Sequence, residues 1–218
     1  LRLHQNDDLW DQGNLDGQAG LAWERGQDVW SLGYQHNGLW LQSDRYRSAN
    51  GLTGQWQRQL GGQDQVAAFV QYSNLYYPNQ RLRDADRWVA GGAIGHGFGN
   101  GITGYAGLYA GTEREKAAAV PQLGHRLVGL RAGGEWALTG TSALFANLSY
   151  EHRRYGGSEP LFFVARRDDQ WNLQIGANIG LARNWLLTPQ ISLIRNDSNV
   201  ALYDYSRRIA TVNLRRDF

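Results

Sequence analysis

From residue 170 to residue 181 the chain reads QWNLQIGANIGL, and every second residue is apolar or small. Trp171, Leu173, Ile175, Ala177, Ile179 and Leu181 stand against Gln170, Asn172, Gln174, Gly176, Asn178 and Gly180. Successive side chains of an extended strand point to opposite faces. This period of two therefore predicts a strand with one apolar and one polar side. The period recurs almost end to end. LVGLRAGGEWAL (127–138) sets Val128, Leu130, Ala132, Trp136 and Leu138 against Gly129, Arg131, Gly133 and Glu135. LFANLSYE (144–151), VAAFVQY (66–72), WVAGGAIGHGF (88–98), ITGYAGLYA (102–110) and WLLTPQISLI (185–194) behave alike.

Run length separates two ways of burying such faces. Strands of a soluble sandwich average about 5–6 residues, whereas a strand that crosses a bilayer needs about 9–11. Several runs here last that long. The polar side also differs from a solvated surface: it is rich in Gln, Asn, Thr and Gly, as a narrow polar lumen requires. Aromatics close the apolar runs: Trp30, Trp40, Trp56, Tyr72, Trp88, Phe98, Trp136, Tyr150, Trp171, Trp185 and Phe218. In a membrane barrel such residues form interfacial girdles, here carried by Trp56, Trp88, Trp136, Trp171 and Trp185.

Turn signals alternate in kind. RGQD (25–28), GGQD (61–64), GNG (99–101), TGT (139–141) and RN (183–184) predict tight hairpins. Between them lie polar stretches expected to be long connections: residues 43–51, 77–86, 112–124, 153–169 and 196–205. Short turns on one side and long loops on the other match an outer-membrane barrel. Eleven strands are countable from about residue 14, and LRLHQNDDLW (1–10) supplies a twelfth. The predicted fold is all-β: one transmembrane antiparallel up-and-down barrel of about twelve strands, residues 1–218, integral to a bacterial outer membrane. It can equally be the C-terminal part of a longer protein.

Composition narrows the functions. Cys 0 excludes disulfides and thiolate metal sites. A net charge of +2, with no basic cluster interleaved with aromatics, gives no reason to expect nucleic acid. No metal spacing stands out, since Asp168 and Asp169 lack a partner, and no cofactor is expected. The histidines His4, His36, His96, His125 and His152 have no Ser or Thr placed to form a hydrolase site. His152 and Glu151 point to opposite faces of one strand. No enzyme is expected, although some barrels are hydrolases.

Charged residues on the polar side, Arg131, Glu135, Glu151, Arg215 and Asp217, are candidates for a constriction or for ion pairs that staple the lumen. Arg153, Arg154, Arg166, Arg167, Asn196 and Asp197 are assigned to surface loops. Arginines there beside Phe162 and Phe163 could bind lipopolysaccharide phosphates, contact a partner, or fold inward as a plug.

The last residues, IATVNLRRDF (209–218), resemble the C-terminal strand by which bacterial outer-membrane proteins are presented to the barrel assembly machinery. Val212, Leu214 and Phe218 carry that likeness. More narrowly, RNDSNVALYDYSRRIATVNLRRDF (195–218) resembles the barrel end of surface lipoprotein assembly modifiers, which join a tetratricopeptide region to a barrel and move lipoproteins to the cell surface. The resemblance implies export of a lipoprotein or polymer client. A passive solute channel, and a barrel enzyme or structural anchor, remain open from the residues alone.

Overall fold

The computed structural model describes residues 12–41, 43–182 and 184–216. It contains eleven strands: β1 Gln12–Arg25, β2 Asp28–Leu41, β3 Asp44–Gly61, β4 Asp64–Tyr76, β5 Ala85–Gly99, β6 Ile102–Glu115, β7 His125–Ala137, β8 Ser142–Ser158, β9 Ala165–Ala182, β10 Trp185–Ser198 and β11 Tyr205–Arg216. Each strand pairs with its sequence neighbour in one sheet ordered β1 to β11. Two 3-10 turns, Arg81–Arg83 and Ala201–Tyr203, are the only helical pieces among the described residues. The fold is thus an all-β antiparallel meander. The twelfth strand expected in residues 1–10 lies outside the described residues.

Strand length departs from expectation. The strands run 12 to 18 residues, and two of the polar stretches assigned to loops, 43–51 and 153–169, are mostly strand. Residues 44–51 belong to β3, so the β2–β3 connection is tight and the strict alternation of short and long connections fails there. β8 and β9 pair up to Ser158↔Ala165 and turn through residues 159–164. Inside that turn, Glu159 N bonds Val164 O (2.9 Å) and Phe163 N bonds Glu159 O (2.8 Å). Ladder hydrogen bonds are indifferent to side-chain polarity. A strand can therefore continue where both its faces are polar.

The apolar face is solvent-accessible rather than folded inward. Leu21, Ile94, Leu108 and Val212 are 64–74 % exposed. The buried residues, among them Leu75, Ala85, Val89, Leu127, Val200, Asp84, Asp168 and Asn196, sit at the end of the sheet that bears the longer connections. One end of the molecule is therefore packed and the other is not.

Candidate functional site

The polar face is concave, and its curvature can be read from contacts that skip a strand. Tyr109 on β6 donates its hydroxyl to Glu151 on β8 (2.9 Å). Tyr105, also on β6, donates to Asn147 on β8 (2.9 Å). Between them, in register, stand Gly129 and Gly133 of β7. A Cβ on Gly129 would overlap the Tyr109 ring, and one on Gly133 would meet Tyr105 and Asn147. Glycine at these two positions lets each tyrosine lie across β7. Further reaches run from Asn178 of β9 to Glu135 of β7 (3.4 Å) and from Gln170 of β9 to Tyr205 of β11 (3.3 Å).

At the long-connection end the concavity is filled. Arg166 lies between the rings of Tyr155 (3.6 Å) and Tyr203 (3.8 Å) and pairs with Asp168 (3.3 Å) and Glu159 (3.6 Å). Arg153 pairs with Glu151 at 2.5 Å and also donates to Gln170 (3.0 Å). Glu113 and His125 face each other in register. They lie level with or beyond Thr112 and Arg126, where the apolar belt of the opposite face has ended, so both stand clear of it. Burial raises the Glu113 carboxyl, against Arg87, Arg153, Arg47 and Arg83. Burial, with Arg153 and Arg87 adding, lowers His125 to about 4. At the short-turn end the concavity opens into a recess of about 880 Å³ whose lining includes Gln65, Tyr105, Glu135, Phe145, Asn147 and Asn178.

The predicted lumen residues separate. Glu151 enters the packed end, and its ionic partner is Arg153. Arg131 stacks its guanidinium on the Tyr109 ring (4.7 Å). Glu135 lines the recess. Arg215 is on the same face of β11, and Asp217 lies outside the described residues.

The surface-loop assignments need correction. Arg153 and Arg154 are in β8, Arg166 and Arg167 in β9, and Asn196 and Asp197 in β10. Charged residues on both faces mimicked a loop because the strands extend past the apolar belt. Adjacent members also point opposite ways. Arg153, Arg166 and Asn196 face inward, and Asn196 is buried, donating to Tyr203 O (2.7 Å). Arg154 and Arg167 face outward and are exposed. Asp197 is outward too, pairing with Arg195 (2.7 Å). The Glu151–Arg153 spacing, two apart on one strand, was a usable signal for that pair.

On the apolar face the aromatics form two rows. Trp23, Trp30 and Trp56 stand side by side near the short turns, with Trp30 and Trp56 rings 6.2 Å apart, and Trp136 and Trp185 lie at that end of their strands. Trp88 meets Tyr72 (4.8 Å) and Trp171 meets Tyr150 (4.6 Å) toward the other end. On β9 the apolar run from Trp171 to Leu181 spans ten steps. At about 3.4 Å per residue and a tilt of about 40°, that is a band about 25 Å tall. His36 and His96 fall on this face, each beside a polar partner: Asn50 (2.8 Å) and Asp64 (2.6 Å). Val212 and Leu214 are on this face of β11, while Phe218 lies outside the described residues. No group of three or more metal-ligating side chains occurs among the described residues.

The sequence matches the surface lipoprotein assembly modifier family over residues 5–218. No curated protein matches it. Among solved structures, the siderophore receptor PirA from Pseudomonas aeruginosa aligns at 13% identity and TM-score 0.47, covering 98% of this chain and 40% of the receptor. The chain thus spans about two fifths of that protein's length. The translocator domain of the autotransporter NalP from Neisseria meningitidis aligns at 14% identity and TM-score 0.44, covering 95% and 80%. A protein solved in a study of in-meso crystallization of membrane proteins aligns at 12% identity and TM-score 0.50, covering 94% and 81%. At 12% identity and TM-score 0.50, this last likeness is one of fold alone.

Proposed function

The chain belongs to the surface lipoprotein assembly modifier family, and from that premise we propose that it is the outer-membrane barrel of a system delivering lipoprotein, or a polymer, to the cell surface. In this reading the concave face is the lumen and the exposed apolar band meets lipid. The sheet closes as a barrel of about twelve strands, β11 against the first strand. The barrel assembly machinery inserts it through the C-terminal strand, and it carries out no catalysis.

The observation that carries the reading is the two-sided sheet: a band of exposed apolar side chains, bordered by aromatic rows, behind a hydrogen-bonded polar concavity. In water such a band is a liability, and in hydrocarbon it is required. The family supplies the client class. A lumen of about twelve strands is too narrow for a folded protein, and the Arg166, Arg153 and Glu113 cluster occupies one end of it. Transfer therefore runs along the margin where first and last strands meet, where client strands can be presented at a sheet edge.

The test is protease shaving of intact cells that carry a lipoprotein client. The client should be cleaved when this barrel is present, and protected when the barrel is deleted. Equal cleavage in both would overturn the proposal. The open recess beside Glu135 favours one second reading, a solute channel. Steady single-channel conductance in planar bilayers, lost in Arg131→Ala or Glu135→Ala, would support that reading, and the packed opposite end weighs against it.

A further inference from the structure

On the outward face of β7, β8 and β9, just past the apolar belt, three arginines stand directly side by side. Arg126 is paired in register with Arg154, and Arg154 with Arg167. All three are exposed, on the same face as Val128, Tyr150 and Trp171. Like charges directly opposite one another across a ladder destabilise the sheet. Three other arginines at this end are paired with carboxylates: Arg166 with Asp168 and Glu159, Arg153 with Glu151, Arg195 with Asp197. Among the described residues none of Arg126, Arg154 and Arg167 forms an ion pair. The carboxylate two residues along the same face from Arg167 is Asp169, and it is engaged by the Tyr150 hydroxyl and by His152 (2.9 Å). A shallow groove of about 460 Å³ beside the row is lined by Arg114, Arg126 and Arg154 together with Thr112 and the carboxylates Glu113 and Glu115, among others.

A row of guanidinium groups one strand spacing apart, about 4.8 Å, offers forked donors suited to phosphate. Directly beneath it lie Val128, His152 and then the Tyr150–Trp171 pair, a surface suited to acyl chains and the headgroup boundary. We propose that Arg126, Arg154 and Arg167 form a binding site for the phosphates of an outer-leaflet lipid, whose chains lie against the apolar belt of β7–β9. The site rests on the outer-membrane reading above, with the longer connections facing outward. It adds a ligand that the export proposal does not require. It also gives a role to Arg154 and Arg167, whose inward neighbours Arg153 and Arg166 are paired with carboxylates.

The experiment is native mass spectrometry of the purified chain, delipidated in detergent and titrated with bisphosphorylated lipid A. Wild type should retain one lipid. The triple variant Arg126→Gln/Arg154→Gln/Arg167→Gln should bind at least tenfold more weakly. The matching lysine triple, which keeps charge but loses the fork, should fall between them, and it also serves as a folded variant should the glutamine triple fail to refold. Arg25→Gln, an outward arginine at the short-turn end, should bind as wild type. Lipid lacking phosphate should bind no better to wild type than to the glutamine triple. Undiminished binding by the glutamine triple overturns the site, as does undiminished binding by the lysine triple if the glutamine triple does not refold. Displacement of the lipid by millimolar inorganic phosphate overturns the lipid assignment. The assay contains no client, so its failure leaves the shaving experiment untouched.

Discussion

Tyr109 lies across Gly129 and hydrogen-bonds Glu151, so three neighbouring strands share one contact on the concave face. The same figure repeats with Tyr105, Gly133 and Asn147. Gly129→Leu should evict the ring. Overpacking costs about 1–3 kcal/mol. The apparent unfolding midpoint of the purified protein in detergent should drop by several degrees, while Tyr109→Phe, which keeps the ring and loses about 1 kcal/mol of hydrogen bond, should drop it less. Equal effects would show that the crossing is not what the glycine serves.

The Glu151–Arg153 pair is little exposed, with side chains 12 and 28 % accessible. Removing one partner strands the other charge, and such losses reach about 3–5 kcal/mol when burial is complete. Glu151→Gln and Arg153→Gln should each destabilise, and the double variant should cost less than their sum. Additivity in that cycle, measured by chemical denaturation, would mean the two residues act independently.

Acid should loosen the packed end through His125. Its folded pKa, about 4, lies below the ordinary value of 6.5, so the folded state holds fewer protons than the unfolded one between those values. Stability is fully present above about pH 6.5 and is lost as pH falls toward 4. Glu113, raised by burial, works in the opposite sense, so the useful quantity is the difference between wild type and His125→Gln. That difference should change between pH 6.5 and 4 and stay flat above. A flat difference throughout would place His125 in solvent.

The chain has no cysteine, which makes single-cysteine reporters clean. Ile175→Cys, on the exposed face, should carry a fluorophore that is quenched by lipid-borne quenchers. Gln174→Cys, whose native side chain donates to Gln190 at 2.7 Å on the concave face, should not. Equal quenching at the two positions would defeat the two-sided reading of β9.

The strands were legible in the sequence because face polarity is a local property, readable two residues at a time. Trp171 to Leu181 needed nothing else. Where the apolar band ends, that signal vanishes though the pairing continues, and so residues 44–51, 153–158 and 165–169 read as loops. Arg153 and Arg154 show the cost: adjacent in sequence, they have opposite environments that only the frame of β8 distinguishes. The tyrosine crossings were illegible for another reason. Setting Tyr109 beside Gly129, and Gly129 beside Glu151, requires the register of two hairpins, which depends on turn geometry rather than on any of the three residues. The arginine row has the same origin, since its members come from three separate strands.

The β8–β9 hairpin continues past the arginine row and turns within six residues, its tip tied by its own backbone bonds. That tip carries Leu161 and Phe163 at 81 and 84 % exposure. Anything approaching from that end, an antibody as much as a client, therefore meets a spike already in its final shape. Gripping it costs little ordering entropy, which makes it the natural handle on this molecule for a conformation-specific binder.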